Sequence, residues 1–346
     1  MSLANWHAMV GSDRVIACIG DSVFENLIDI EPTLGWVQKF RQSMDPTWSN
    51  RGNGFFGMFR VEWTTAGSWT KSTNSDAWDK APWGEAYTAS GSSAVKTWTK
   101  SSEVTGTINR FELFVVDGAS SANFSYRIDG GAWTNVSNTW NQNNSLDTIT
   151  INSPVTSTVE VRAANAAGTS VNVYLVGISV YFQAGGLVVH NLGKRSDTII
   201  TFTRSTTGDW GAWLDLVQPD LVIIEDSNHG VYINNPTEFA VDLNQLVDRV
   251  QAYADVVFFV VPEQNNGRDV TMQSNYRQRM RDVAYQRNAT VFDLSFAWGN
   301  YATASGNGLW YPPVGVHPSD TGHTDISTRI QRLLTQPRRG PKVRST

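Results

Sequence analysis

Val256-Val257-Phe258-Phe259-Val260-Val261 runs for six residues without a polar break. A strand with one wet face would alternate, so a run like this has to be covered on both faces. A parallel sheet held between two layers of helices does that. Leu221-Val222-Ile223-Ile224 is a second such run, and Arg14 to Ile19 precedes both as a first strand. Between the runs, Asn235-Pro236-Thr237-Glu238 supplies a cap, a first-turn proline and a capping-box acid, after which Phe239, Leu243, Leu246, Val247 and Val250 share one helical stripe. Met272, Tyr276, Met280 and Val283 mark another helix, and Val291-Phe292-Asp293-Leu294 another strand. A last helix is predicted from Ser319 to Leu334, with Ile326, Ile330 and Leu333 on its face. This is the rhythm of a parallel α/β sheet.

From about residue 59 to 185 the texture changes. Trp63, Trp69, Trp78, Trp83, Trp98, Trp133 and Trp140, half of the chain's 14 tryptophans, fall there among many Ser and Thr, with no helical stripe. Asn123 to Ile128 alternates, Asp129-Gly130-Gly131 supplies a tight turn, and Ala132 to Val136 alternates back, which predicts a hairpin. Further strands are read at Phe111–Val116, Thr148–Ile151, Val159–Arg162 and Val171–Val176. Short strands at this spacing predict an all-β, jelly-roll-like sandwich. The expected organisation is a discontinuous α/β domain over 1–58 and 186–335, an inserted β-sandwich over 59–185, and a basic tail over 336–346. Alternating aromatics are expected in the sandwich core, whereas Trp63, Trp69, Trp78 and Trp83, in a stretch rich in Ser, Thr and Gly, are candidates for a sugar-stacking surface.

The 346 residues suffice for a well-packed interior, and the net charge of -5 comes with Lys and Arg spread along the chain. Only Pro337 to Arg344 forms a basic run; it is read as a solvated tail, and no nucleic-acid partner is expected. Cys18 is the single cysteine and lies inside the first strand, so neither a disulfide framework nor a Cys-rich metal site is expected. No apolar run approaches the roughly 18 residues a membrane helix needs. The first residues lack the basic-then-apolar order of a signal peptide. Low charge and abundant Ser, Thr, Asn and Trp point to an extracellular or virion-associated setting, with a cytoplasmic one left open.

Four segments carry the chemistry. In Ile16-Ala17-Cys18-Ile19-Gly20-Asp21-Ser22 an apolar strand runs into a sharp turn that leaves a serine hydroxyl at the sheet edge, where a nucleophile belongs. Val188-Val189-His190-Asn191-Leu192-Gly193 is again a strand followed by glycine, whose amide can approach a substrate oxygen. Gly52, in Asn50-Arg51-Gly52-Asn53-Gly54, is its rival for that role. Glu225-Asp226-Ser227-Asn228-His229-Gly230 puts an asparagine amide at a strand end, and Gly315-Val316-His317-Pro318-Ser319-Asp320-Thr321-Gly322-His323 sets a histidine just before a capped helix. Histidine titrates in the range that suits a general base near neutrality.

Nucleophile turn, glycine, asparagine and His-Pro, in that order, resemble the four blocks of the SGNH hydrolases, also called GDSL-type esterases, over most of the chain outside the insert. Ser22, Gly193, Asn228 and His317 stand at the four block positions. The resemblance implies a flavodoxin-like, three-layer α/β/α fold with a parallel sheet, interrupted here by the sandwich. It implies Ser22 as nucleophile, His317 as base, and an oxyanion hole made of the Ser22 amide, the Gly193 amide and the Asn228 side chain, with no cofactor or metal. The chain departs from the pattern at Val314, where the family carries its triad acid, and at Asp226 and His229, where it carries Gly and Asp. Asp320, Asp293, Asp226 and Glu225 are the candidate substitutes, and a backbone carbonyl holding His317 in a Ser-His dyad is the other arrangement. The implied activity is hydrolysis of O-acyl esters on a cell-surface polysaccharide or lipid conjugate. The alternative is a binding or structural protein of the same fold, such as a phage tail component meeting the bacterial envelope, within a homo-oligomer or a virion.

Overall fold

A computed structural model of the chain describes residues 3–9, 13–25, 35–44, 48, 50–57, 62–71, 87–90, 93–101, 104, 106–117, 124–136, 145–163, 172–193, 199, 210–227, 235–265, 267, 269–312 and 315–336. The strands are β1 (Arg14–Ile19), β2 (Asn50–Gly57), β3 (Trp63–Ala66), β4 (Trp69–Lys71), β5 (Tyr87–Ser90), β6 (Val95–Thr99), β7 (Arg110–Asp117), β8 (Phe124–Ile128), β9 (Thr134–Val136), β10 (Ser145–Ile151), β11 (Thr158–Ala163), β12 (Asn172–Tyr181), β13 (Leu187–Asn191), β14 (Leu221–Ile224), β15 (Asp255–Val260) and β16 (Thr290–Asp293). The helices are α1 (Ala4–Ala8), α2 (Ser22–Glu25), α3 (Trp36–Met44), α4 (Trp210–Val217), α5 (Pro236–Val250), α6 (Val270–Gln286), α7 (Ser295–Trp298), α8 (Tyr301–Gly306) and α9 (Asp320–Thr335).

The expected parallel sheet is present as one half of a larger, mixed sheet. Its order is β10-β7-β12-β2-β13-β1-β14-β15-β16, with β5 added to β12 and β4 to β5. From β2 through β13, β1, β14 and β15 to β16 every pairing is parallel. At β2 the sense changes, because β12 joins it antiparallel and is followed by β7 and β10. Strands of the expected insert therefore extend the α/β sheet. The seam is close: a Cβ on Gly52 would run into the Val180 carbonyl of β12.

Helices cover both faces of the parallel half, as the unbroken apolar runs require. Ala17, Val222 and Phe258 face Leu243 and Val247 of α5 and Met280 of α6; Ile16, Ile223 and Phe259 face Trp36 and Phe40 of α3 and Ile326 and Ile330 of α9. Asn235 caps α5 by accepting from the Thr237 and Glu238 amides, and Ser319 caps α9 through the Gly322 amide. Cys18 is buried, and that burial pushes its thiol up and out of reactive range.

The remaining strands form a second, antiparallel sheet ordered β3-β6-β11-β8-β9. It packs on the antiparallel half through Trp98, Val159, Val161 and Phe124 on one side and Phe111, Leu113, Val115 and Ile178 on the other. The opposite face of β7 and β12 carries Phe114 and Val176 and is covered by Trp213 of α4, which stacks on Phe114 at 4.3 Å. The predicted hairpin is β8–β9, with Asp129 and Gly130 both at positive φ (50° and 71°), as a tight primed turn demands. The sugar-stacking expectation is corrected at two positions: Trp63 and Trp69 are buried in the inter-sheet core, because alternation turns them inward. Trp78, Trp83, Trp140 and the basic run from Pro337 lie outside the described residues. Among the described residues no helix is long and apolar enough to cross a membrane.

Candidate active site

Parallel strands deliver their following loops to one edge, and this rim collects the polar residues singled out in the sequence. Cys18 is level with Asn191 and Ile19 with Ile224, so β13, β1 and β14 end side by side. Ser22 opens α2 just past β1, Gly193 lies just past β13, and Glu225 to Ser227 leave β14. Gly52 instead pairs with Val188, near the start of β13 and away from this rim, which leaves Gly193 as the glycine at the rim. Asn228, His229 and Val314 lie outside the described residues.

The Gly193 amide donates to Oδ1 of Asn191 at 3.1 Å, and Nδ2 of Asn191 donates to the Phe24 carbonyl in α2. One side chain thus ties the turn after β13 to the helix that begins with Ser22. On the other side, Asp21 and Glu225 are fully buried and their carboxyls are hydrogen-bonded to each other. Asp21 also accepts from the Val23 amide at 2.7 Å. Oε1 of Glu225 accepts from the amide and hydroxyl of Ser227 at 2.9 and 3.0 Å, and Oγ of Ser227 accepts from the Val261 amide at 2.8 Å.

The same chain of bonds reaches the histidine. Beyond β15, Gln264 is held by Gln273 of α6, which accepts from its amide at 3.0 Å and donates to its carbonyl at 3.1 Å. Nε2 of Gln264 donates to the Val316 carbonyl at 2.8 Å, and the Asn265 amide to the Gly315 carbonyl at 3.3 Å. The Tyr311 amide closes the loop on the His317 carbonyl at 2.9 Å. Gly315 is required twice, since its φ is +65° and a Cβ would run into the Tyr301 ring. His317 itself is half-buried.

His323 sits behind this loop. Its Nδ1 accepts from the Trp36 amide at 3.2 Å, which assigns the proton of the neutral ring to Nε2. Burial, with help from the charge of Lys39, lowers it to about 4 against the pull of Asp320, and His317 is close enough to lower it further. Trp36 meets Phe24 edge-on at 4.9 Å, so the Ser22 helix and the His323 side of the rim share a wall.

The candidate acids have partners. Asp320 pairs with Lys39 at 2.8 Å, and Asp293 with Arg281 at 2.7 Å while accepting from the Ser295 amide and hydroxyl. Asp226, buried, accepts from the Ile199 amide at 2.7 Å. Glu225 belongs to the carboxyl pair with Asp21. Among the described residues no group of three or more His, Cys, Asp or Glu is arranged to hold a metal. Sequence reading passed over Asn191 and Gln264, whose signal was slight: each is a polar residue at or just beyond the end of an apolar run.

Residues 168–324 match the model of the GDSL-like Lipase/Acylhydrolase family. The match takes in Gly193, Asn228 and His317 and begins after the Gly20-Asp21-Ser22 turn. The α/β part of the chain therefore carries the sequence pattern of that family. No curated protein matches the sequence. Among solved structures, a peptidoglycan O-acetylesterase shares the fold at a TM-score of 0.73 and 16% identity, covering 96% of this chain and 93% of its own. That overlap includes the two-sheet region as well as the α/β part. A lipase/acylhydrolase from Enterococcus faecalis overlaps 43% of this chain and 76% of its own at 19% identity and a TM-score of 0.36. The acetylxylan esterase Axe2 from Geobacillus stearothermophilus overlaps 44% of this chain and 74% of its own at 19% identity and a TM-score of 0.35. None of these likenesses bears on a virion or phage tail setting.

Proposed function

We propose that the protein is a serine-dependent carboxylic ester hydrolase that removes O-acyl groups from a polysaccharide. The observation that carries this reading is the order along one rim: the Ser22 turn after β1, Gly193 after β13, the 225–228 segment after β14, and the His317 loop bonded to the segment after β15. In the proposed reaction Ser22 attacks the ester carbonyl while His317 takes its proton. His317 then returns that proton to the leaving alcohol, and water repeats the sequence on the acyl-enzyme. The Ser22 amide, the Gly193 amide and the Asn228 side chain receive the oxyanion, each donor lowering the barrier by about 3 kcal/mol. Asn191 already aims the Gly193 amide, and that bond has to be shared or released as charge develops on the substrate oxygen.

With Val314 in the family's acid position, the arrangement we favour is a Ser-His dyad. The backbone clamp from Gln264, Asn265 and Tyr311 does part of the orienting that an acid would do. A saccharide substrate is favoured by the whole-length fold likeness to an esterase of acetylated glycan.

The test is p-nitrophenyl acetate hydrolysis, and acetate release from O-acetylated polysaccharide, by wild type and Ser22→Ala, with a fluorophosphonate label mapped by mass spectrometry. We expect label on Ser22 and a loss of about 10³-fold or more in the variant. Undiminished turnover in Ser22→Ala overturns the reading.

A further inference from the structure

The buried carboxyl pair beneath the nucleophile turn has no part in the acyl transfer just described. Two carboxylates only accept hydrogen bonds, so the bond between Asp21 and Glu225 requires a proton held between them. The two residues close the ends of neighbouring strands, one immediately before Ser22 and the other three residues before Asn228. Their remaining bonds run outward in opposite directions, from Asp21 to the Val23 amide of α2 and from Glu225 through Ser227 to Val261.

We propose that Glu225 is a positioning residue whose shared proton fastens the Ser22 turn to the loop carrying Asn228, holding nucleophile and oxyanion donor at a fixed separation. The inference rests on the esterase reading above. Glu225 is the member that keeps the proton, because burial first, then the charge of Asp21, the bond to it and the charge of Asp226 raise it well above the ordinary carboxylate range; the Ser227 amide opposes this. Asp21 and Asp226 are the ionisable neighbours that act on it among the described residues. A folded-state value raised above 4.5 means that the folded chain holds a proton which the unfolded chain gives up. This contribution is present in full below that pH and is lost as pH rises through the folded value.

Glu225→Gln keeps a donor for Asp21 and an acceptor for Ser227, whereas Glu225→Leu fills similar space with neither. We expect Glu225→Gln to stay within about threefold of wild-type kcat and Glu225→Leu to fall about 30-fold with KM little changed. Urea unfolding across pH should show wild type losing stability above the ordinary carboxylate range more steeply than Glu225→Gln. Wild-type kcat in Glu225→Leu overturns the positioning role, and equal pH slopes for wild type and Glu225→Gln overturn the shared proton. If Glu225→Leu does not fold, a fall in Glu225→Gln as deep as that of Ser22→Ala overturns the proposal. If wild type has no turnover and takes no label, the esterase reading fails, and the two unfolding slopes still decide whether the pair shares a proton.

Discussion

The two halves of the long sheet are buried equally well and differ in what their ends can do. From β2 to β16 the strands are parallel, and every carboxyl end arrives at the same edge. From β12 to β10 they alternate in sense, so successive turns go to opposite edges. Both halves carry unbroken cores, the first between helices and the second between a helix and another sheet. Only the parallel half gathers Asp21, Glu225, Ser227, Gln264 and the His317 loop into one hydrogen-bonded rim. Burial alone does not make a site; here the shared strand direction does.

The comparison breaks first at the inter-sheet core. Trp98 is fully buried there and meets Phe56 at 5.7 Å, so Trp98→Ala should cost about 3–5 kcal/mol by urea denaturation. Well below the melting temperature its kcat should stay near wild type; a fall with stability intact would mean that the second sheet shapes the rim. Gln264→Ala sharpens the contrast from the other side. Losing the bond to the Val316 carbonyl should lower kcat about tenfold, leave KM nearly unchanged and cost only about 1 kcal/mol of stability. An unchanged kcat would remove the backbone clamp from the dyad.

The smallest expected effect concerns acid. Residues 59–185 contain no histidine, whereas His190 and His323 are buried in the parallel half and lowered by that burial to about 3 and about 4. A base whose folded value is depressed contributes stability above 6.5 that is lost as pH falls toward the folded value. Stability should therefore drop between about pH 6.5 and about pH 4, and His323→Asn, which keeps an acceptor for the Trp36 amide, should make that drop shallower. An identical slope would assign the acid sensitivity elsewhere.

The sequence by itself determined the parallel half. Six apolar residues in a row admit few environments, and Asn235-Pro236-Thr237-Glu238 and Ser319 are local signals whose bonds form within one helical turn. The Asp129-Gly130 hairpin was legible for the same reason, since a tight turn depends on neighbours in the chain. The order of Ser22, Gly193, Asn228 and His317 was legible too, because strand ends follow chain order. Only the tertiary structure decided that β12, β7 and β10 extend that sheet, since edge pairing between strands distant in sequence leaves no periodic mark. It also turned Trp63 and Trp69 inward, a choice between two faces that their local composition left open. The carboxyl pair was decided there as well. Asp21 and Glu225 lie far apart in the chain, and they meet because β1 and β14 are neighbours in the folded sheet.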